Sequence, residues 1–269
     1  MTIAVDSQVL DALDSQVKTP SVRLLSYNIQ VGIASKRFGD YITQSWKHVF
    51  PHAEIYENLS QIANLISDYD VAGLQEVDGG SLRSGFINQT EFLARKGRFP
   101  FWHHQINRNL GRLAQHSNGL LSRLRPAEIT NFKLPGLIPG RGAMMVRFGE
   151  EHNPLILVMM HLALSSRARH RQIACIREII HNYEHVVVMG DMNCQPDSAE
   201  MLYLLKKTDL CEPTHGLKTF PSWRPAKTID HILVTPTLAV NDVHVLNYRY
   251  SDHLPIAMDI QIPDDVKLN

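Results

Sequence analysis

Short apolar runs, rather than long amphipathic ones, dominate this chain. They fall at residues 22–28, 70–75, 118–122, 142–148, 154–161, 185–190, 229–234, 243–249 and 254–261. Runs of this length suit β-strands, and PLILVMMHLAL (154–164) suits a buried one. Helical spacing is confined to fewer stretches. Ile55, Leu59, Ile62 and Ile66 recur within 53–67, and Ile173, Ile176 and Ile180 within 166–183, where Ser165 and Ser166 offer caps. Shorter helices are expected over 89–96 and 198–206. Many strands with few helices predict two sheets packed face to face, with helices outside. The Gly- and Pro-rich stretches 134–142 (LPGLIPGRG) and 221–225 read as loops. No repeat or low-complexity linker divides the chain. We therefore expect a flexible arm over 1–20 and a single domain over 21–264.

Composition narrows the classes. The chain has 269 residues, 44% of them hydrophobic, which is enough for a sizeable core. Lys+Arg and Asp+Glu number 27 each, so the net charge is zero. That argues against a protein built chiefly to grip long nucleic acid, while leaving room for a local basic patch. Cys175, Cys194 and Cys211 form neither a disulfide framework nor a CxxC metal motif, and a reducing compartment fits them. MTIAVDSQVLDALDSQVKTP lacks the features of a signal peptide, and no stretch approaches the roughly 18 apolar residues of a membrane helix. The expectation is a soluble cytoplasmic protein with no membrane span and no obligate protein partner.

The ends of the apolar runs carry the chemistry. VRLLSYN ends at Asn28, VAGLQE at Glu76, LILVMMH at His161, and VVVMGDMN at Asp191 and Asn193. KTIDHILV carries Asp230 near its start, and the last run begins just after Asp252 and His253. Alone, each has a structural explanation. Asn28 and Asp252 could turn the chain, His161 could be a hydrogen-bonded core histidine, and GDMNCQP could be an Asx-turn. Unpaired polar groups at desolvated strand ends are costly, however. Their repetition predicts that they converge and satisfy one another.

Taken in order, SYNIQ (26–30), LQEVD (74–78), MMHLAL (159–164), GDMNCQP (190–196), IDHILV (229–234) and SDHLP (251–255) resemble the endonuclease/exonuclease/phosphatase superfamily, which has the deoxyribonuclease-I-like fold. The resemblance covers roughly residues 22–262. RSGFINQ, SNGLLSR and RHRQ look like bacterial members without a defined substrate. The resemblance implies a four-layered α/β sandwich, two packed and mostly antiparallel β-sheets flanked by helices. It also implies divalent-metal-dependent cleavage of a phosphate ester at one end of the sandwich.

Roles carry over by matching position. Glu76 matches the family's metal carboxylate, with Asn28 completing the metal shell or holding a phosphate oxygen, and Asp252 approaching the metal through water. Few oxygen ligands suit Mg²⁺, with Mn²⁺ as a substitute. Asp191 matches the acid that orients or deprotonates water, and Asn193 would fix a phosphate oxygen. His161 matches the histidine that contacts the phosphate or protonates the leaving group. His253 matches the second histidine, a general base, oriented by Asp230. Arg83 and Asn118 are further substrate-binding candidates, and Asp78 could support Glu76. Gln30 is neutral where many nuclease members place an acid, and His161 stands where abasic-site nucleases have tyrosine. The leading expectation is a phosphodiesterase acting on a lipid headgroup, a small phosphodiester or nucleic acid. The alternatives are a nuclease of DNA or RNA and a catalytically silent phosphate-binding protein. His103 and His104 in FWHHQ invite a metal reading, but neighbours on a strand face opposite ways. Trp223 and Arg224 could line a pocket rim, or pack under a loop. No HExxH or comparable spacing supports a zinc hydrolase.

Overall fold

The computed structural model describes residues 20–32, 52–136 and 140–268, with the side chains of His52, Ala53 and Arg83 excepted. The expected arm, Pro20 apart, lies outside the described residues. Strands β1 (Ser21–Asn28), β2 (Val71–Asp78), β3 (Phe101–Asn109), β4 (Gln115–Ser122), β10 (Ala239–Val245) and β11 (Ile256–Gln261) form one sheet in the order β10-β11-β1-β2-β4-β3. Strands β5 (Pro126–Lys133), β6 (Gly142–Phe148), β7 (Leu155–His161), β8 (His185–Asp191) and β9 (Asp230–Val234) form the second, in chain order. Helices α1 (His52–Ile66) and α2 (Gln89–Lys96) cover the first sheet, and α3 (Ser166–Ile180) and α4 (Ala199–Lys207) the second. This is the four-layered sandwich. Each sheet is antiparallel except for one central parallel pair, β1–β2 in the first and β7–β8 in the second.

Strand alternation builds the layers. Leu155, Leu157 and Met159 of β7, with Val187 and Met189 of β8, point between the sheets and meet Leu24, Ile256 and Met258. The intervening Ile156, Val158, Met160, Val186 and Val188 point outward, onto Ile173, Ile176, Met201 and Leu204 of the helices. Both faces are buried, which is why these strands read as continuous apolar runs. On the first sheet, Leu25, Tyr27, Ala72 and Leu74 pack against Leu59, Ile62 and Leu93. Val266 is buried in the inter-sheet core, so packing continues past the expected boundary at 264.

The edges differ from expectation. β3 and β5 escape the apolar-run reading because each is a half-exposed edge strand with an irregular burial pattern. β10 lies at 239–245 rather than 243–249, and it too is an edge strand. No described helix is long and apolar enough to cross a membrane.

Candidate active site

Four of the strand-tip residues share one alternation. Asn28 follows Leu24 at even spacing, His161 follows Met159, Asp191 follows Met189, and Asp230 precedes Ile232, all on the inter-sheet face. Cα pairing aligns His161 with Asp191, and Asp191 with Asp230, in one row across the second sheet. Gly190 permits the alignment. It sits at φ 143°, and a Cβ there would lie 1.9 Å from the Met160 carbonyl oxygen.

Glu76 arrives by another route. Strict alternation would send it toward the helices with Ala72 and Leu74. A β-bulge against β4 between Leu74 and Val77 breaks the register, and Glu76 takes φ 56°. In an otherwise buried strand, its side chain is 35% exposed. The bulge delivers the carboxylate into a cleft of about 480 Å³ that His161 also lines.

Asp191 is the hub. Its Oδ2 accepts from Asn28 Nδ2 at 3.1 Å, and lies 3.4 Å from His161 Nε2 and 3.8 Å from His253 Nε2. Its Oδ1 accepts the Asn193 backbone N–H at 3.0 Å. His253 Nδ1 is 2.8 Å from Asp230 Oδ2, which also accepts from the Thr219 hydroxyl. The Phe220 ring packs on His253 at 4.9 Å, and Leu254 N donates to the Thr219 carbonyl. The segment 219–222 thus braces the second histidine, a role that TFPSW does not announce in sequence. Asp252 is buried, accepting from the Ser251 hydroxyl.

Burial and charge set the protonation states. Burial is the main force lifting Asp191 to about 7, assisted by Asp230 and opposed by His253, Asn28 and Asn193. Burial opposes charge on His253, but the Asp230 and Asp191 carboxylates raise it to about 10. His161 is held well below the ordinary imidazole range by burial, then by Arg141 and His253. Burial raises Asp252, and Glu76 adds to the effect. The cluster therefore presents a neutral His161 beside a protonated His253.

The remaining candidates separate. Asn193 donates its Nδ2 to the Leu162 carbonyl at 3.0 Å, at φ 52°. Asn118 is buried and lines the cleft. The backbone of Arg83 lies in a short 3-10 turn, Leu82–Ser84, and its side chain lies outside the described residues. Asp78 organises the loop after β2 by accepting from Gly80 N, Ser81 N, Ser81 Oγ and Ser84 Oγ. His103 meets Asn131 and His104 meets Asn88, away from the cluster. The sequence reading passed over Arg141, which lies between Gly140 and the first residue of β6 and lines the cleft.

Two carboxylate groupings could hold a metal. Asp191, Asp230 and His253 offer atoms within 4.8 Å of one another. In that trio Asp230 Oδ2 is committed to Thr219 and His253, while Asp230 Oδ1 is buried with no hydrogen-bond partner among the described residues. Glu76 is different. Its nearest ionic partner among the described residues is His161 Nε2 at 3.9 Å, and Asp252 lies close enough to feel its charge. A part-exposed carboxylate with a second one nearby fits a hard, oxygen-seeking cation that keeps several waters.

Solved structures of like fold are diverse. One is an endonuclease/exonuclease/phosphatase from Beutenbergia cavernae, with a TM-score of 0.69 at 17% identity, covering 90% of this chain and 72% of that one. Another is the mannosyl-6-phosphatase Bt3783 of Bacteroides thetaiotaomicron, with 0.66 at 17%, covering 90% and 100%. A third is D. rerio TDP2 complexed with a single-strand DNA product, with 0.64 at 15%, covering 90% and 99%. No curated protein matches the chain. The model of the Endonuclease/Exonuclease/phosphatase family matches residues 25–253, from just before Asn28 to His253 itself, and the chain belongs to that family.

Proposed function

We propose that the chain is a divalent-metal-dependent phosphoesterase that hydrolyses a phosphodiester by in-line attack of water. The observation that carries this reading is the convergence on Asp191 Oδ2 of Asn28, His161 and His253, beside a carboxylate the bulge turns outward. Mg²⁺, or Mn²⁺ in its place, held by Glu76 with Asn28 and Asp252 alongside, would neutralise the phosphate and the developing charge on the leaving oxygen. Asp191 is an acceptor facing both histidines, suited to orient a water and take its proton. His253 has its Nδ1 committed to Asp230, so its Nε2 is left as a donor. In this reading His253 stabilises phosphate charge as a cation, and the base is Asp191. Neutral His161 donates to a phosphate oxygen. Asn193 holds the Leu162 carbonyl and thereby the turn that follows His161.

The test compares bis-p-nitrophenyl phosphate with p-nitrophenyl phosphate under Mg²⁺, Mn²⁺ and chelator, with Asp191→Ala and His253→Ala alongside. Metal-dependent turnover of the diester, lost in both variants, is the expected result. Preference for the monoester would move the assignment to phosphatase. Absence of turnover of either ester under every metal would overturn the reading in favour of a silent phosphate-binding protein.

A further inference from the structure

We propose that the cleft beside Glu76 and His161 is a second anion subsite, so that the substrate is a small phosphate ester whose organic part carries a further phosphate or carboxylate. The inference rests on the phosphoesterase reading for the scissile group.

Four arginines line the cleft. Arg167 and Arg171 project from α3 at a spacing of four, which places them on one helical face. Arg108 comes from the end of β3, and Arg141 from the position immediately before β6. None of the four has an ion-pair partner among the described residues. Arg169, between the first two in sequence, behaves differently: it turns to Glu200 and pairs with it. The unpaired cations thus line the cleft, while the paired one is held by Glu200 and by the Ala163 and Leu164 carbonyls of the cleft wall.

Arg108, Arg167 and Arg171 are exposed and solvated, so without a ligand the arrangement is only mildly unfavourable. Like charges four apart on a helix repel, and a cation in the first turn opposes the helix dipole. α3 has no acidic residue in its first turn, and its N-cap Ser165 and neighbouring Ala168 also line the cleft. Burial disfavours charge on Arg141, and the carboxylates of Glu76 and Asp191 only partly offset this. Asn118, fully buried in the cleft wall, keeps an Oδ1 acceptor that no donor satisfies, which suits a hydroxyl of the ligand's organic part rather than the anion itself. An anion bound here would relieve the repulsion along α3 and the burial of Arg141.

Size and charge select the kind of molecule. About 480 Å³ falls within the range of small-molecule sites. Leu164, 77% exposed on the rim, gives an organic framework an apolar surface to lie on. Zero net charge gives no long-range field for a polyanionic strand. Because Glu76 and His161 belong to the same cleft, the scissile phosphate and the second anion are two ends of one ligand.

The test uses ligands that cannot be hydrolysed. Alkane-α,ω-bisphosphonates of graded length, and the matching alkyl monophosphonates, are titrated by calorimetry into the full chain at fixed free Mg²⁺. At the best length the bisphosphonate should bind about tenfold or more tightly than its monophosphonate, with the preference shrinking as salt rises. The preference should fall toward one in Arg167→Ala/Arg171→Ala, recover in part in the corresponding double lysine variant, and persist in Arg95→Ala on the remote helix α2. Circular dichroism checks that each variant is folded. Equal binding of the two series at every length overturns the proposal, as does a preference that survives the double alanine variant. An affinity that keeps rising as single-stranded oligonucleotides grow from two to eight nucleotides overturns it in favour of a strand-binding groove. A preference without turnover of any ester keeps the subsite and removes the phosphoesterase reading. Turnover without a preference does the reverse.

Discussion

Asn28 and Asp191 meet across the gap between the two sheets, Nδ2 to Oδ2 at 3.1 Å. Each stands at the carboxyl end of a strand in its sheet's central parallel pair. The bond therefore fixes Asp191 and joins the sheets at the site. Asn28→Ala should cut kcat/KM about 10²-fold, the scale of losing one oriented donor. Steady-state kinetics on an activated diester, with a thermal melt to confirm folding, decides it. An unchanged rate would remove Asn28 from the site.

Glu76 should govern metal affinity. Glu76→Gln keeps the shape of the side chain and removes its charge. We expect Mn²⁺ affinity, followed by calorimetry, to weaken by about tenfold or more, while far-UV circular dichroism stays unchanged. Native affinity in the variant would shift the metal to the Asp191, Asp230 and His253 grouping.

Stability in the presence of chelator should fall as pH rises. His253 is ordinarily at 6.5. Burial opposes its charge, but Asp230 and Asp191 lift it to about 10, so its contribution is complete below pH 6.5 and lost as pH approaches 10. Asp191 is lifted by burial from 3.8 to about 7, so its contribution is present in acid and lost as pH rises through 7. Asp191 holds more protons folded than unfolded between pH 3.8 and about 7, and His253 between 6.5 and about 10, so stability falls in succession through the two ranges, by a joint amount on the order of a few kcal/mol. Urea unfolding at pH 6, 8 and 9.5 measures it. Asp191→Asn should flatten the slope and be more stable than the native chain above pH 7. A stability that rose with pH would contradict the assignment.

Gly190 should tolerate no side chain. Its Cβ would meet backbone, the Met160 carbonyl oxygen at 1.9 Å, rather than the yielding tip of a side chain. Gly190→Ala should cost about 3 kcal/mol or more, within the range of severe single substitutions. Equilibrium denaturation tests this, and a loss under about 1 kcal/mol would show that β7 and β8 can part there at little cost.

Much of the site was legible because period-two alternation is a strong rule. Once LILVMMH and VVVMGD are read as buried strands, His161 and Asp191 must share a face with Met159 and Met189, and Asp230 with Ile232. Glu76 was found through motif resemblance, since alternation alone points it the wrong way. Its bulge arises from pairing with β4, a partner no local pattern reveals. Arg141 escaped because its flanking glycines read as loop, and Thr219 and Phe220 because their contacts with Asp230 and His253 are set by tertiary closure. β3 and β5 were missed for a different reason: edge strands need bury only part of each face, so their apolar pattern is weak.

Dividing the site between two sheets has a consequence for how the molecule can fail. Asn28 and Glu76 belong to one slab, and His161, Asp191 and Asp230 to the other. On the proposed mechanism, neither slab holds a working half. A molecule whose sheets had slid or parted by a side chain's width would keep nearly all its secondary structure and lose its chemistry. Turnover would then report sandwich closure more sensitively than any spectrum of the backbone, and it would be the first signal to vanish as the protein is perturbed.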